Sequence, residues 1–273
     1  MSKNALISIF SLTVLQLLSQ SCFGGRFMIP QIEKSLIEIQ SQRRQDVLNN
    51  TFSLLVWNIH KGKAGQAWVN DIQKLGPKHD ILLFQETTDD NETIDAAANE
   101  LKNFDLLFAK SFTYTKTLIS SGVATASLST ATNTILHRTK DLEPFVRTPK
   151  TTLLSLFKLA NGETLATLNI HGINRASNEA FYRQIDESLA LVRNHQGPIV
   201  FAGDFNTNKR EKFDELTKRM TALGLTMITY PNDQRRNHLD WIFYRGCQVR
   251  ESEILYDVQS SDHFPLHARL ECN

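Results

Sequence analysis

Apolar segments of this 273-residue chain end repeatedly in polar side chains that a buried strand has no structural need to carry. These polar residues are Asn58 after LLVW, Glu86 after LLFQ, His171 after TLNI, Asp204 and Asn206 after VFAG, and Asp262-His263 before FPLHARL. Each alone reads equally well as a turn residue or a buried histidine. Together they predict a reactive site, because loops at the ends of strands carry most catalytic and binding groups.

The order of these segments resembles a known superfamily. Read along the chain, LLVWNIHKG, LLFQETT, NIHGIN, VFAGDFNT, LDWIFYRG and SSDHFPL are similar to the motifs of endonuclease/exonuclease/phosphatase proteins. That superfamily includes DNase I, AP endonucleases, neutral sphingomyelinases and inositol polyphosphate 5-phosphatases. The residues around the motifs resemble those of the YafD-like bacterial branch most. The resemblance covers Phe52 to Leu270 and implies hydrolysis of phosphate esters.

Phosphate ester hydrolysis requires a site that neutralises charge on the phosphoryl oxygens and holds a water molecule in line. A hard divalent cation serves this purpose, and Mg²⁺ needs only one or two protein carboxylates beside its own water ligands. We expect Glu86 to be the principal Mg²⁺ ligand, with Asn58 beside it and Asp262 across the site. Mn²⁺ or Ca²⁺ could replace Mg²⁺ there.

The resemblance implies catalytic roles for the remaining motif residues. Asp204 would orient and deprotonate the attacking water, and the Asn206 amide would hold phosphate or water. His263 and His171 would donate hydrogen bonds to phosphoryl oxygens, and one of them would protonate the leaving group, since histidine changes charge near neutral pH. Asp240 in LDWIF matches the acid that pairs with the histidine of the SDH motif and fixes its tautomer.

The sequence gives weaker indications of the residues that contact the substrate than of the catalytic residues. Asn174 in NIHGIN matches a phosphate-contacting asparagine of some nucleases, although a turn residue is an equal reading. Arg175 and the pairs Lys209-Arg210 and Arg235-Arg236 could contact nucleic-acid phosphates or simply form solvated charged faces. His60 stands where AP endonucleases carry a metal-binding aspartate, which argues against that particular activity.

Composition limits the partners. The chain has 30 Lys and Arg against 29 Asp and Glu, so it lacks the basic field that drives tight, nonspecific binding to nucleic acid. We nevertheless expect a nuclease acting on nucleic acid, through local contacts, from a monomeric protein. The alternatives are a phosphoinositide phosphatase, a sphingomyelinase-type lipid phosphodiesterase, or a non-catalytic binding module on the same fold.

The first residues read as an export signal. Lys3, the apolar run 5–18 and Ser19-Gln20-Ser21 predict a signal peptide over residues 1–21, with lipidation of Cys22 as a lipoprotein as the alternative. Either outcome predicts an exported protein, periplasmic or secreted, and lipidation would add a membrane anchor. In an oxidising compartment Cys247 and Cys272 could pair, or remain free thiols.

The rest of the chain divides into a connector over 22–50 and a catalytic domain over 51–273. Ile29, Ile32, Leu36 and Ile39 have helical spacing within a polar stretch, which predicts either a plain connector or an amphipathic helix lying on the domain. Strands alternate with helical patterns beyond Asn50, and we expect 121–129, 133–138, 151–158 and 163–171 to be neighbouring antiparallel strands. The pattern predicts an α/β fold, and the resemblance implies the DNase I-like four-layered sandwich of two packed sheets flanked by helices.

Overall fold

Short apolar runs and amphipathic helices alternate along the chain, and in the computed structural model they form two β-sheets packed face to face. The structure describes residues 25–43 and 45–273. The predicted signal peptide over 1–21 and the lipidation site at Cys22 lie outside the described residues. Within the described ranges, no helix combines the length and apolar character needed to cross a bilayer.

The strands, in chain order, are β1 Phe27–Met28, β2 Leu36–Ile39, β3 Thr51–Asn58, β4 Ile81–Thr88, β5 Asp105–Tyr114, β6 Ser120–Ser127, β7 Asn133–Arg138, β8 Thr151–Lys158, β9 Thr164–His171, β10 Ile199–Asp204, β11 Thr226–Met227, β12 Asp240–Arg245, β13 Cys247–Ile254 and β14 Leu266–Cys272. The α-helices are α1 Gln66–Leu75, α2 Ile94–Glu100, α3 Asn178–Ala190 and α4 Arg210–Ala222.

The first sheet has eight strands in the order β1-β5-β6-β4-β3-β14-β13, with β2 pairing to β5. The second sheet has six strands in the order β11-β12-β10-β9-β8-β7. Strands β3 and β4 run parallel, as do β9 and β10, whereas their other neighbours are antiparallel. Each sheet therefore has a pair of central strands whose carboxyl ends meet at one edge.

Apolar side chains fill the space between the sheets and beneath the helices. Val56 of β3 and Val200 of β10 belong to the core shared by both sheets. On the outer face of the first sheet, Trp57 and Trp68 of α1 are buried in the same apolar cluster. On the second sheet, Phe181 of α3 joins the outer core. These layers confirm the predicted four-layered α/β sandwich.

The connector prediction is wrong in its secondary structure. No helix forms over Ile29 to Ile39 except a single 3-10 turn at Ile32–Lys34. Instead β1 and β2 extend the first sheet by pairing with β5. The free edge of β5 offers backbone hydrogen bonds to this segment, and alternate residues Ile37 and Ile39 pack on the outer core. Edge pairing with period-2 burial therefore overrides the helical spacing.

The predicted grouping of the middle strands is also only partly right. Strands β7, β8 and β9 are antiparallel neighbours in the second sheet, as expected. Strand β6 instead lies between β4 and β5 in the first sheet. The polar strand β13, which the sequence patterns do not reveal, pairs with β14, and a disulfide joins Cys247 to Cys272 across this pair.

A histidine pair couples the end of α1 to β14. The buried His79 side chain contacts the Leu75 carbonyl through Nδ1 at 2.8 Å, and its Nε2 lies 2.9 Å from Nδ1 of His267. Nδ1 must donate to the Leu75 carbonyl, and a neutral His79 then accepts at Nε2 from Nδ1 of His267. Burial, reinforced by repulsion from His267 and opposed by the Leu75 hydrogen bond, lowers the pKa of His79 to about 4.

We expect this depressed pKa to make stability fall on acidification. In the unfolded chain His79 becomes protonated below about pH 6.5, whereas in the folded protein it becomes protonated only near pH 4. Between these pH values the unfolding free energy therefore falls by up to about 3 kcal/mol. Urea unfolding at several pH values measures it. His79→Gln, which does not titrate, should reduce this slope, and identical slopes in the two proteins would contradict the assignment.

Candidate active site

The strand registers bring the predicted residues to one end of the sandwich. In the second sheet, Asp204 at the end of β10 lies opposite His171 of β9 and Asp240 of β12. In the first sheet, Asn58 at the end of β3 lies opposite Gln85, next to Glu86. Glu86 sits at a register shift between β4 and β6 and has a φ of 55°, which turns its side chain away from the regular alternation of the strand.

A cleft of about 350 Å³ opens at this end of the two sheets. The predicted residues that line it are Glu86, His171, Asn174, Asp204, Asn206, Asp262 and His263. Two further predicted residues are buried behind it, Asn58 against Asp204 and Asp240 against His263. Arg175 is exposed and lines an adjoining hollow of about 180 Å³ instead.

Asp204 is the most constrained carboxylate in the cleft. Its Oδ2 accepts a hydrogen bond from the Asn58 amide at 3.0 Å, and its Oδ1 accepts one from the Asn206 backbone N–H at 2.9 Å. Burial and the neighbouring Asp240 carboxylate raise the pKa of Asp204 to about 7, against the opposing effects of His263 and the hydrogen bonds. A carboxyl group with this pKa can take and release a proton near neutral pH.

His263 and Asp240 form a second unit. The Nδ1 of His263 lies 2.8 Å from Oδ2 of Asp240, so this nitrogen carries the proton and Nε2 is the ring's other hydrogen-bonding atom. Burial alone would lower the pKa of His263, but the charge and hydrogen bond of Asp240 raise it to about 10. The buried Arg235 fixes this unit from behind by donating to the Asp240 carbonyl at 2.8 Å.

The surroundings of His171 lower its pKa, whereas those of His263 raise the pKa of that residue. Burial, followed by the charges of Lys150 and His263, holds the pKa of His171 well below its usual range, so its ring is neutral at pH 7. Its Nε2 lies 3.3 Å from the Lys150 ammonium and 3.6 Å from Oδ2 of Asp204. Because an ammonium can only donate, the shorter contact makes Nε2 an acceptor. The Nε2 atom is then not free to donate to a phosphoryl oxygen, the role expected for His171.

Lys150 and Glu143 are site residues that the sequence patterns miss. The Lys150 ammonium lies 3.4 Å from a Glu143 oxygen, and Glu143 also accepts hydrogen bonds from the Asn174 backbone at 3.1 Å and from Thr148 at 3.0 Å. Neither residue follows a recognisable motif. The one available signal is a lysine placed directly before the apolar strand β8.

The oxygen ligands predicted for a divalent cation lie on the first-sheet side of the cleft. Glu86 faces Lys61, whose ammonium is 3.8 Å from Oε2. Burial opposes the charge of Lys61, but the Glu86 carboxylate raises its pKa. Asn58 Oδ1 accepts a hydrogen bond from the His60 backbone at 3.0 Å, and Asp262 contacts the His60 ring at 3.2 Å. This hard-oxygen donor set fits Mg²⁺, with Lys61 as the cation that the metal must displace.

A second group of possible ligands exists on the other side. One atom from each of Asp204, Asp240 and His263 lies within 4.8 Å of the others. Part of this group is already engaged, since Nδ1 of His263 donates to Oδ2 of Asp240 and both oxygens of Asp204 accept hydrogen bonds, whereas Oδ1 of Asp240 has no hydrogen-bond partner among the described residues. Glu86 is the better candidate because, among the described residues, the one charged group within ion-pair distance of it is the ammonium of Lys61.

The raised pKa of His263 can be tested directly. We expect the imidazole to stay protonated through pH 8 in an NMR titration of the protein, because Asp240 stabilises the imidazolium. Asp240→Asn removes the charge at nearly constant shape and should bring the His263 midpoint down into the titrated range. An ordinary midpoint near pH 6.5 in the unmodified protein would contradict the proposed pairing.

Sequence comparisons agree with the motif order. The profile of the Endonuclease/Exonuclease/phosphatase family matches residues 55–263. A UPF0294 protein of Vibrio campbellii is 30% identical over 226 residues, covering 78% of this chain and 75% of its own length. A UPF0294 protein of Vibrio parahaemolyticus is 27% identical over 282 residues, covering 94% of this chain and 95% of its own length.

Solved structures share the fold at low sequence identity. An endonuclease/exonuclease/phosphatase from Bacteroides vulgatus superposes with a TM-score of 0.67 at 14% identity, covering 82% of this chain and 99% of its own. A beta toxin mutant of Staphylococcus aureus with bound magnesium ions gives 0.61 at 16% identity, covering 81% and 99%. From its profile match, its relatives and the fold around the cleft, this chain belongs to the endonuclease/exonuclease/phosphatase family.

Proposed function

We propose that this protein is a divalent-metal-dependent phosphodiesterase that acts on nucleic acid after export from the cell. The observation that supports it best is that one cleft is lined by two proton-transfer groups in different electrostatic environments. Asp204 has a pKa of about 7, whereas His263 is held as an imidazolium by Asp240. A general base and a general acid with such different environments suit hydrolysis of an ester.

The proposed reaction assigns one task to each group. Glu86, Asn58 and Asp262 would hold a Mg²⁺ ion, which would supply positive charge for the phosphoryl oxygens. Asp204 takes the proton of the attacking water, which the Asn206 amide helps to orient. His263 gives its proton to the leaving oxygen through Nε2.

Further polar groups would serve the phosphoryl group itself. Lys150 adds a fixed positive charge to the cleft, and neutral His171 holds this ammonium in place. Asn174, which lines the same cleft, is the proposed contact to a phosphate oxygen, and Arg175 would contact a neighbouring phosphate from the adjoining hollow. Preorganised charges of this kind are the main source of rate enhancement in phosphoryl transfer.

Aromatic rings in the wall of the cleft favour nucleic acid as the substrate. Phe27, Phe112 and Tyr114 line the cleft and contact one another with centroid separations of 5.1 to 5.2 Å. Bases stack on such surfaces whatever their sequence. The magnesium ions bound to the structurally similar beta toxin support the choice of metal.

A lipid phosphodiesterase is the second candidate, because apolar side chains stand exposed around the same cleft. Phe145 is 83% exposed next to Val146, which lines the cleft, and Leu118 at the β5–β6 turn is 67% exposed. Exposed apolar loops beside a site are typical of enzymes that work at a lipid surface. A phosphoinositide or sphingomyelin would then replace the nucleic acid. A pure binding module has no use for the acid–base pair.

The proposed location is the periplasm or the exterior, with a monomeric protein. The disulfide between Cys247 and Cys272 supports an oxidising compartment, where such bonds persist. Lipidation at Cys22 would add a membrane anchor to the same enzyme.

A substrate panel tests the proposal. We expect the purified protein to nick plasmid DNA with Mg²⁺ and to lose this activity in EDTA, because the proposed reaction needs a cation at Glu86. Sphingomyelin and phosphoinositides measured under the same conditions distinguish the second candidate. Hydrolysis that persists unchanged in EDTA would contradict metal dependence.

Single substitutions test the assigned roles. His263→Ala and Asp204→Asn should each lower kcat by roughly 10²-fold or more, since each removes a proton-transfer group. Asp141→Asn is the matched control, because the Asp141 carboxylate pairs with Arg183 and does not line the cleft. Rates close to the unmodified protein in both active-site variants would overturn the assignment.

A further inference from the structure

A second hollow adjoins the cleft on the far side of His263. It has a volume of about 300 Å³ and shares Leu239, Asp262 and His263 with the cleft. Its other wall carries Arg235, Arg236 and Asn237, from the loop before β12. His263 therefore lines both of two adjoining spaces, so a molecule bound at this histidine lies next to each of them.

The two arginines of this loop differ in burial and in ion pairing. Arg235 is buried, its guanidinium is bound by Asp233 at 2.8 and 3.0 Å, and it lies over the rings of Tyr230 and Trp241. Its charge is therefore neutralised inside the protein. Arg236 is exposed in the hollow, and among residues 25–43 and 45–273 no carboxylate lies within ion-pair distance of it.

The two carboxylates of the hollow each have a partner other than Arg236. Asp240 is bound to His263, and Asp262 contacts His60 at 3.2 Å. Among the described residues, the Arg236 guanidinium is thus not paired with any carboxylate of the hollow. A planar guanidinium with free N–H groups binds phosphate oxygens in preference to most other ligands.

We propose that this hollow, the Arg236 hollow, binds the leaving-group side of a polynucleotide, with the Arg236 guanidinium holding the phosphate next to the scissile one. The inference rests on the proposed function, in which His263 protonates the leaving oxygen and must therefore touch the leaving group. The hollow lies directly beyond that histidine, and its volume falls at the lower end of small-ligand sites, enough for a nucleoside-sized group. Such a contact positions the strand without reading its sequence.

The test compares two diesters that differ on the leaving side. One is a short single-stranded oligodeoxynucleotide, and the other is the p-nitrophenyl ester of thymidine 5′-phosphate, whose leaving group carries no further phosphate. In Arg236→Ala, we expect the ratio of kcat/KM for the oligonucleotide to kcat/KM for the small diester to fall roughly fivefold, the effect of losing one exposed charge contact. The salt dependence of oligonucleotide binding should weaken by about one unit of slope.

Two further variants separate this role from a general effect of charge or folding. Arg236→Lys keeps the charge and should retain the salt slope. Arg193→Ala removes an equally exposed arginine at the opposite end of the sandwich, where His195 contacts the Thr164 carbonyl at the start of β9, and should leave the ratio unchanged.

The possible outcomes are distinguishable. An unaltered ratio in Arg236→Ala, with the oligonucleotide still hydrolysed by the unmodified protein, overturns the Arg236 hollow and leaves the proposed function intact. An equal loss of kcat/KM on both diesters also overturns it, because the arginine would then support the reaction centre. Absence of oligonucleotide hydrolysis by the unmodified protein with Mg²⁺ overturns both proposals.

Discussion

The site depends on keeping two carboxylates side by side in a buried place. Asp204 and Asp240 are opposite each other on neighbouring strands, and both are almost fully buried. Burial disfavours the charged carboxylate, and the charge of Asp240 adds to this effect, so the pKa of Asp204 rises to about 7. The arrangement holds because Asn58 and Asn206 donate to Asp204 while protonated His263 neutralises Asp240. One acid is thereby left ready to accept a proton, and the other holds an imidazolium.

Neither sheet contains this chemistry by itself. The second sheet supplies His171, Asp204 and Asp240, whereas the first supplies Asn58 and Glu86. Packing of the apolar inner faces therefore also assembles the site, since it brings the Asn58 amide against Asp204. The loop before β14 completes it with His263, whose carbonyl is fixed by the Trp57 indole at 2.9 Å. A change in how the sheets pack would separate the predicted metal side from the acid–base side.

The sequence predicts those segments whose local hydrophobic pattern matches their burial in the folded protein. Apolar runs that end in an isolated polar residue identify the central strands and most of the cleft, because such strands are buried on both faces and only their ends meet solvent. The sequence pattern gives the wrong or no secondary structure for strands that lie at the edge of a sheet. Leu36 to Ile39 have helical spacing yet form β2, since the open edge of β5 was invisible in the sequence, and β13 is polar because much of it faces solvent. Lys150 and Glu143 were missed for a related reason, as only the fold brings them to His171.

The central claim is that a divalent cation and an ester phosphorus meet in this one cleft. A crystal structure with Mn²⁺ and a non-hydrolysable phosphorothioate dinucleotide tests it most directly, because anomalous scattering locates the metal. The account predicts the metal on Glu86 and the phosphorus between Asp204 and His263. Metal bound instead by Asp204, Asp240 and His263, or a phosphorus outside the cleft, would contradict it.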